Sequence, residues 1–415
     1  MLDRFISFWT SLRLTVVCLA FSIVLVFVGT IAQADEGLYQ TQERYFKHWL
    51  VWGFSFFGKN VPLPLPGGYL LGTILLVNLT AAHIKRFHLT WKKLGIHLTH
   101  GGIILLLVGQ LATDLFSRET QMRFSEGETK WYSEDPRDYE LAVVQIQDGN
   151  SEKVVAIPQM LLVTGSTIKH PELPFDIRIE SYWPNSEPAY RAPMSANTPA
   201  VTTNGIAQSF DFREVPLTKT MEDKNVPTAV IEIQKDGSSY GRWVASGWAG
   251  DDAMVAGVRI FWIKQLGQQP ASRMVAQLTE PQVVSVDGRS YRVSLRPVRH
   301  YEPYSMTLLQ RTHEVYPGTT IPKNFQSRVE IENPERNERR EVDIYMNNPL
   351  RYGGLTFYQH QMSPEEIAAF ERSSTLQVVR NPSWLTPYIG CLLVGAGLVV
   401  QFMTHLIQFI KRRTA

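Results

Sequence analysis

Cysteine is nearly absent from this chain of 415 residues: Cys18 and Cys391 are the two, and both fall inside apolar runs. The long stretch between them therefore has no disulfide, no thioredoxin-like thiol pair and no CxxCH site for covalent haem attachment. An excess of one charge is lacking as well. Forty-one Lys and Arg against 39 Asp and Glu leave a net charge of +2, which gives no sign of a nucleic-acid partner. A Walker loop, a dinucleotide fingerprint, HExxH and a nucleophile elbow are all missing, so the residues alone support no general enzyme reading. No internal repeat is evident.

What the chain does have is hydropathy sorted into blocks. Charge-free windows run over Leu14–Ala34, Val61–Ile84, Leu94–Thr113 and Asn381–Ile410. Each reaches the roughly 20 residues that a hydrocarbon core requires. The first lacks the short apolar core and small-x-small site of a signal peptide, so it reads as an uncleaved helix. The expectation is a membrane α-helical protein with four transmembrane helices in a 3+1 arrangement. Residues 1–115 would hold three spans, at 14–34, 64–84 and 94–115; residues 116–380 would form a large extracytoplasmic, mainly-β domain; residues 381–415 would supply the last span and a short tail. Arg4 and Arg13 precede the first span, Lys85, Arg86, Lys92 and Lys93 fill the loop between the second and third, and Lys411, Arg412 and Arg413 follow the fourth. The positive-inside rule puts these clusters, and both termini, on the cytoplasmic side of an inner membrane. Residues 35–60 and 116–380 are then outside.

The exported segment changes period. YELAVVQIQD (Tyr139–Asp148), FDIRIE (Phe175–Glu180), TAVIEIQ (Thr228–Gln234), VRIFWIK (Val258–Lys264) and QSRVEIE (Gln326–Glu332) read as half-buried strands. Asp287-Gly288 and the charged turn starting at Asn333-Pro334 read as hairpin connections. Four prolines, Pro184, Pro188, Pro193 and Pro199, predict a long loop over Tyr182–Asn204. A sandwich or an irregular multi-sheet β domain follows. The aromatic stretch within Asp35–Pro66 suits the membrane interface, or a platform beside it for a flat apolar ligand or a partner helix.

The third span carries two histidines where a lipid-facing helix should have none. His97 and His100 lie three apart and so share roughly one helix face. With about 1.5 Å of rise per residue, His100 sits on the order of 10 Å beyond Lys93. Ionisable groups at that depth face protein or a cavity and point to function. Neutral imidazole is a good ligand for iron, copper or zinc. A histidine near a helix end also reaches the headgroups, which is the plainer reading for His97.

Two further stretches, YPGTTIPKNFQSRVEIEN and MNNPLRYGGLTFYQHQ within Tyr316–Gln361, resemble the signature of the ResB (CcsB) family of System II cytochrome c biogenesis. The 3+1 topology, the His100-Gly101-Gly102 string and MRFSEGETKWYSEDPRDYELAV after the third span extend that resemblance. It implies a subunit that acts with a CcsA/ResC-like membrane protein to move haem across the membrane and present it to apocytochrome c, with membrane lipid around it and thiol-reducing proteins as indirect partners. The chain has no tryptophan-rich WWD-type loop, so a separate partner is expected, and this subunit would be non-catalytic or co-catalytic within a holocytochrome c synthase complex. The resemblance assigns His100 as an axial ligand of a haem b held transiently and shared with that partner, with His83 and His97 as competing candidates. It also singles out Asn348, Pro349, Leu350, Gly354, Phe357, Tyr358 and Gln359 as motif residues, in a structural turn or a docking surface. Lys85, Arg86, Lys92 and Lys93 are placed to meet propionates, although the positive-inside rule explains them equally well. His300, His313 and His360 flank the motif and read more readily as surface or hydrogen-bonded histidines. Two alternatives stay open: a b-type di-haem electron-transfer subunit pairing His83 with His100, and a non-haem envelope scaffold.

Overall fold

The computed structural model describes residues 2–56, 59–88, 90–147, 152–191, 202, 204–218, 223–319, 321–363 and 371–414. They fall into two compact units, one drawn from the two ends of the chain, Met1–Arg118 and Asn381–Ala415, and one from most of residues 119–380.

In the first unit a short amphipathic helix, α1 (Leu2–Trp9), leads into α2 (Leu12–Glu36), capped by the Ser11 hydroxyl. A single turn, α3 (Leu38–Thr41), and a π-helical turn over Gln42–Phe46 follow. Next come a hairpin of β1 (Leu50–Phe56) and β2 (Lys59–Pro66), then α4 (Gly68–Lys85) and α5 (Leu94–Phe116). Among the described residues, four helices are long and apolar enough to cross a membrane: α2, α4, α5 with the turn before it, and the C-terminal Thr386–Thr414. The second begins later than the sequence suggests. Pro62, Pro64 and Pro66 cannot sit inside a helix, and they alternate along β2 opposite β1, so the helix starts only after Gly67.

These helices pack in a row, α2 on α4, α4 on α5, and α5 on the C-terminal helix. Asn78, buried in α4, donates to the carbonyls of Trp9 (2.8 Å) and Ser11 (3.1 Å) and accepts from the Thr15 hydroxyl (2.6 Å). Interhelical hydrogen bonds of this kind replace the hydrophobic drive that lipid removes. On α5, Gly95, Gly102 and Gly109 recur every seven residues and are its buried positions. A Cβ on Gly95 would lie 2.7 Å from the Gly397 carbonyl oxygen, and one on Gly102 2.8 Å from that of Gly390, so backbone meets backbone along this seam.

The second unit is mainly β. A ten-stranded sheet has the path β15-β14-β13-β4-β3-β18-β17-β16, with β12 and β5 pairing β13 and β4. Its members are β3 (Arg118–Ser125), β4 (Thr129–Gln145), β5 (Lys153–Pro158), β12 (Gln282–Val286), β13 (Arg289–Val315), β14 (Pro322–Asn333), β15 (Glu338–Tyr345), β16 (Leu350–Tyr352), β17 (Leu355–Met362) and β18 (Ser373–Arg380). A four-stranded sheet runs β11-β10-β7-β6, from β6 (Thr167–Ile168), β7 (Asp176–Trp183), β10 (Thr228–Lys235) and β11 (Ser238–Ser246). β8 (Ser186–Tyr190) and β9 (Phe210–Glu214) pair separately. Leu141 and Val143 of the large sheet meet Ile177, Ile231 and Ile233 of the small one in a first core, as in a sandwich. Met306, Leu308, Val329, Ile331, Phe357 and Leu376 form a second core within the large sheet. The 27 residues of β13 serve both: Tyr291, Val293 and Leu295 point into the first, Tyr304, Met306 and Leu308 into the second. A third core lies on the other face of the small sheet, where Val230 and Val244 meet Val258, Trp262, Val275 and Leu278.

That third core corrects one expectation. VRIFWIK is not a strand but the centre of α7 (Asp252–Leu266), which follows the single turn α6 (Gly247–Gly250) and precedes α8 (Gln268–Leu278). Val255, Val258 and Trp262 recur at helical spacing against the sheet, the Asp251 carboxylate caps the Ala253 N–H at 2.9 Å, and Gly267 ends the helix at φ +84°. The long loop over Tyr182–Asn204 is also shorter than expected, because Tyr182 and Trp183 belong to β7 and Pro188 sits in β8 opposite Phe212. Pro193 and Pro199 lie outside the described residues. The two hairpins form as read: Asp287 and Gly288 both take positive φ, at 51° and 71°, and Asn337 closes the β14–β15 connection at φ 48°.

The last helix, α9 (Thr386–Thr414), returns the chain to the first unit, where the Ser383 hydroxyl lies 2.7 Å from that of Thr113 at the end of the α5–α9 seam.

Candidate functional site

Two residues of arc separate His100 from the seam glycine Gly102, about 200° around the helix, so the histidine side of α5 points away from α9. That side faces α4, and His83 comes from the last turn of α4. The His83 ring centroid lies 5.0 Å from that of His97 and 5.9 Å from that of His100. Phe87 closes on the same group, 4.8 Å from His97. The three rings line a cavity of about 270 Å³ with Leu79, Ile96, Arg86 and Lys93. The structure thus brings together all three histidines singled out in the sequence.

Their hydrogen bonds differ, and the difference fixes the ring nitrogens. A carbonyl oxygen only accepts, so His100 Nδ1 carries its proton to Ile96 O at 3.0 Å and Nε2 keeps the lone pair. His97 is the reverse: Nε2 donates to His88 O at 3.0 Å, while Nδ1 is buried without a partner. Among the described residues, the polar or aromatic contacts of His83 are with rings alone. An uncommitted Nε2 on a ring held by its own helix is the usual arrangement of a metal-binding histidine whose second nitrogen fixes the tautomer. No group of three or more His, Cys, Asp or Glu side chains is arranged to hold a metal ion among the described residues. A haem makes no such demand, because its macrocycle brings most of the iron's ligands and a single imidazole such as that of His100 would hold it here. The residues present fit one.

Of the four loop cations, Arg86 and Lys93 line the cavity, whereas Lys85 and Lys92 do not. Arg86 also donates to Thr10 O at 3.3 Å and Lys85 to the Thr10 hydroxyl at 3.4 Å, which ties α1 to the end of α4. The sequence alone does not sort these four.

The motif residues are in the second unit, in and beside the β16–β17 hairpin. Gly353 and Gly354 make its turn at φ +60° and +80°. Leu350 pairs with Phe357, both buried in the second core, and Tyr358 faces outward. Asn348 and Pro349 lead into the hairpin, and Asn348 bridges back to Tyr345. Gln359 accepts from the Ser327 hydroxyl at 2.6 Å and donates to that of Ser374 at 3.0 Å, joining β14, β17 and β18. Each of these contacts is a folding contact. His313 stacks on Phe325 at 4.6 Å, His300 pairs in register with Ser133, and His360 is at the surface. Partial desolvation by the surrounding protein still lowers the His360 imidazole below its ordinary value.

The second unit also buries charge that the sequence did not announce. Arg296 Nε meets Glu140 at 3.0 Å with both side chains buried, Arg299 meets Glu134 at 3.0 Å and lies over Tyr132, and Lys130 meets Asp252 at 2.7 Å. Burial raises the Glu134 carboxyl and the Tyr139 phenol, and Tyr139 donates to Asp251 at 2.9 Å. These charges are compensated in pairs, so the network ties β4 to β13 and α7.

Residues 260–371 match the model of the ResB-like family. Over that stretch the chain is ResB-like. The segment runs from within α7 through β13 to the β17–β18 connection, so it takes in most of the second core, all but its β3 and β18 residues, and the hairpin that carries the motif. A segment of 97 residues is 30% identical to Protein NrfI of Wolinella succinogenes, covering 23% of this chain and 10% of that protein. The ResB-like match and the four apolar helices together mark a membrane protein.

Proposed function

We propose that this chain is a cytochrome c biogenesis subunit that holds haem within the membrane, together with a CcsA/ResC-like membrane protein, on the way to apocytochrome c. The ResB-like match supports the biogenesis role. The single observation that carries the haem reading is the convergence of His83, His97 and His100 on one cavity between two apolar helices. His100 is the ligand of choice, because its Nδ1–H is committed to Ile96 O and its Nε2 is left to bind. Haem, when bound, would supply an iron that takes an imidazole nitrogen and vinyl groups for later covalent attachment; the chain's own residues would orient it. His100 would fix its depth, Arg86 and Lys93 would pair with propionates, and Leu79 and Ile96 would cover an apolar edge.

The cavity is smaller than the roughly 300–1,000 Å³ that encloses a drug-sized ligand. At about 270 Å³ it covers only part of a macrocycle. This supports a site completed by a second protein, which would contribute the remaining contacts to haem. The di-haem alternative keeps one specific observation in its favour, the 5.9 Å between the His83 and His100 rings.

The test is the haem content of the purified complex. His100→Ala should lower retained haem at least fivefold, and added imidazole should partly restore it. His97→Ala should leave most of the haem in place. Unchanged haem content and normal cytochrome c maturation in His100→Ala would overturn the assignment. Equal losses from His83→Ala and His100→Ala in the chain without any partner would favour the di-haem reading.

A further inference from the structure

The helix pair that carries the histidines opens at its other end into a second, larger cavity of about 530 Å³. It lies where α4 begins and α5 ends, about 20 Å along α4 from His83 at 1.5 Å per residue. Leu76, Leu107 and Leu111 give it an apolar floor, and Gly72 leaves a bare patch of helix there, with nothing within 4 Å of where a Cβ would stand. Three glutamines line it from separate elements, Gln33 of α2, Gln42 of the π-helical turn and Gln110 of α5. None of the three side chains hydrogen-bonds to protein among the described residues.

The charges at the rim are already committed. Lys47 Nζ lies 2.6 Å from Glu43 and 3.7 Å from Asp114, and Asp114 accepts from the Tyr69 hydroxyl. An anionic headgroup therefore finds no uncommitted cation among the described residues that line the cavity, and two carboxylates beside one ammonium disfavour it further. What remains for a ligand is neutral hydrogen bonding at several points, since each carboxamide both donates and accepts. A flat ring suits the bare helix surface at Gly72, and an apolar tail suits the leucines and the bilayer beyond.

We infer that this cavity binds a lipid-soluble quinone or quinol, its ring oxygens hydrogen-bonded by Gln33, Gln42 and Gln110 and its ring over Gly72. The inference is independent of the histidine site.

The experiment titrates the detergent-solubilised full-length protein with 2,3-dimethyl-1,4-naphthoquinone and measures the free quinone after ultrafiltration. Saturable binding near one per chain is expected. Gly72→Leu fills the open patch with a better helix former, and Gln110→Leu removes a hydrogen-bonding group without adding bulk. Each should weaken binding at least tenfold, whereas His100→Ala should leave it unchanged. Circular dichroism checks that the variants stay helical; should Gly72→Leu fail that check, Gln110→Leu decides. Non-saturable uptake, equal in wild type and both variants, would overturn the inference. So would displacement of the quinone by an equimolar amount of phosphatidylcholine, which would make the cavity a lipid site.

Discussion

His100 spends its Nδ1 proton on its own helix, at Ile96 O, and His97 spends its Nε2 proton on His88 O, so two imidazoles three residues apart that line one cavity commit different nitrogens to the backbone. Sequence spacing put both on one face, but the tautomer depends on backbone that a spacing rule does not reach. Single groups in the β unit carry consequences of the same kind. Glu126 accepts from Arg372 at 2.6 and 3.1 Å and from the Arg311 N–H at 2.8 Å. Burial alone would raise its carboxyl; the Arg372 guanidinium and the Arg311 N–H outweigh it and hold the group below the ordinary value of 4.5. A carboxyl depressed in the folded state contributes stability that is present above its unfolded pKa and lost as pH falls through the folded one. Glu126→Gln should therefore lower the melting temperature at pH 7, and the gap from wild type should shrink as pH drops below about 4.5. Thermal melts from pH 3 to 7 read this directly, and a gap that stays constant would contradict it.

At the scale of elements, the two glycines after His100 separate cleanly. Gly101 has nothing within 4 Å of its would-be Cβ, whereas that of Gly102 would meet the Gly390 carbonyl oxygen at 2.8 Å and Val394 as well. Gly102→Leu forces the α5–α9 seam apart, an overpacking that costs about 1–3 kcal/mol or more. Its melting temperature should fall by about 5 °C or more, and Gly101→Ala should match wild type within about 1 °C. Equal melts for the two variants would remove the seam from the account. The HGG string was legible as a helix with a histidine face, but only the partner helix tells which glycine is structural. The long apolar helices themselves were legible, because a continuous apolar run of this length has few other uses. VRIFWIK was misread, since its β-branched and aromatic residues mimic a strand while Val255, Val258 and Trp262 follow the helical period. The prolines of β2 were in plain view and should have moved the start of α4.

For the whole molecule, local pattern found most strands of the β unit but not their partners. Nothing in the neighbourhood of Arg289–Val315 shows that one strand of 27 residues serves two cores, or that Tyr291 and Met306 face different sets of residues. Pairings across more than a hundred residues, such as Leu295 with Leu141, come from the fold alone. The sidedness of the chain, by contrast, rests on sequence: Lys85, Arg86, Lys92, Lys93 and the Lys411–Arg413 cluster flank the helices at matching ends. If that charge pattern governs insertion, the His83–His97–His100 cavity opens at the cytoplasmic end of α4 and α5, and the β unit is exported. Cysteine scarcity makes this easy to examine, since replacing Cys18 and Cys391 by alanine leaves a thiol-free chain. On that background, a cysteine placed by Ser238→Cys, at an exposed hairpin of the β unit, should react with a membrane-impermeant maleimide in intact spheroplasts. One placed by Lys92→Cys should react only after permeabilisation. The opposite pattern, or equal labelling of both before permeabilisation, would put the histidine cavity on the wrong side for loading from the cytoplasm, and the direction of haem movement proposed above would fall with it.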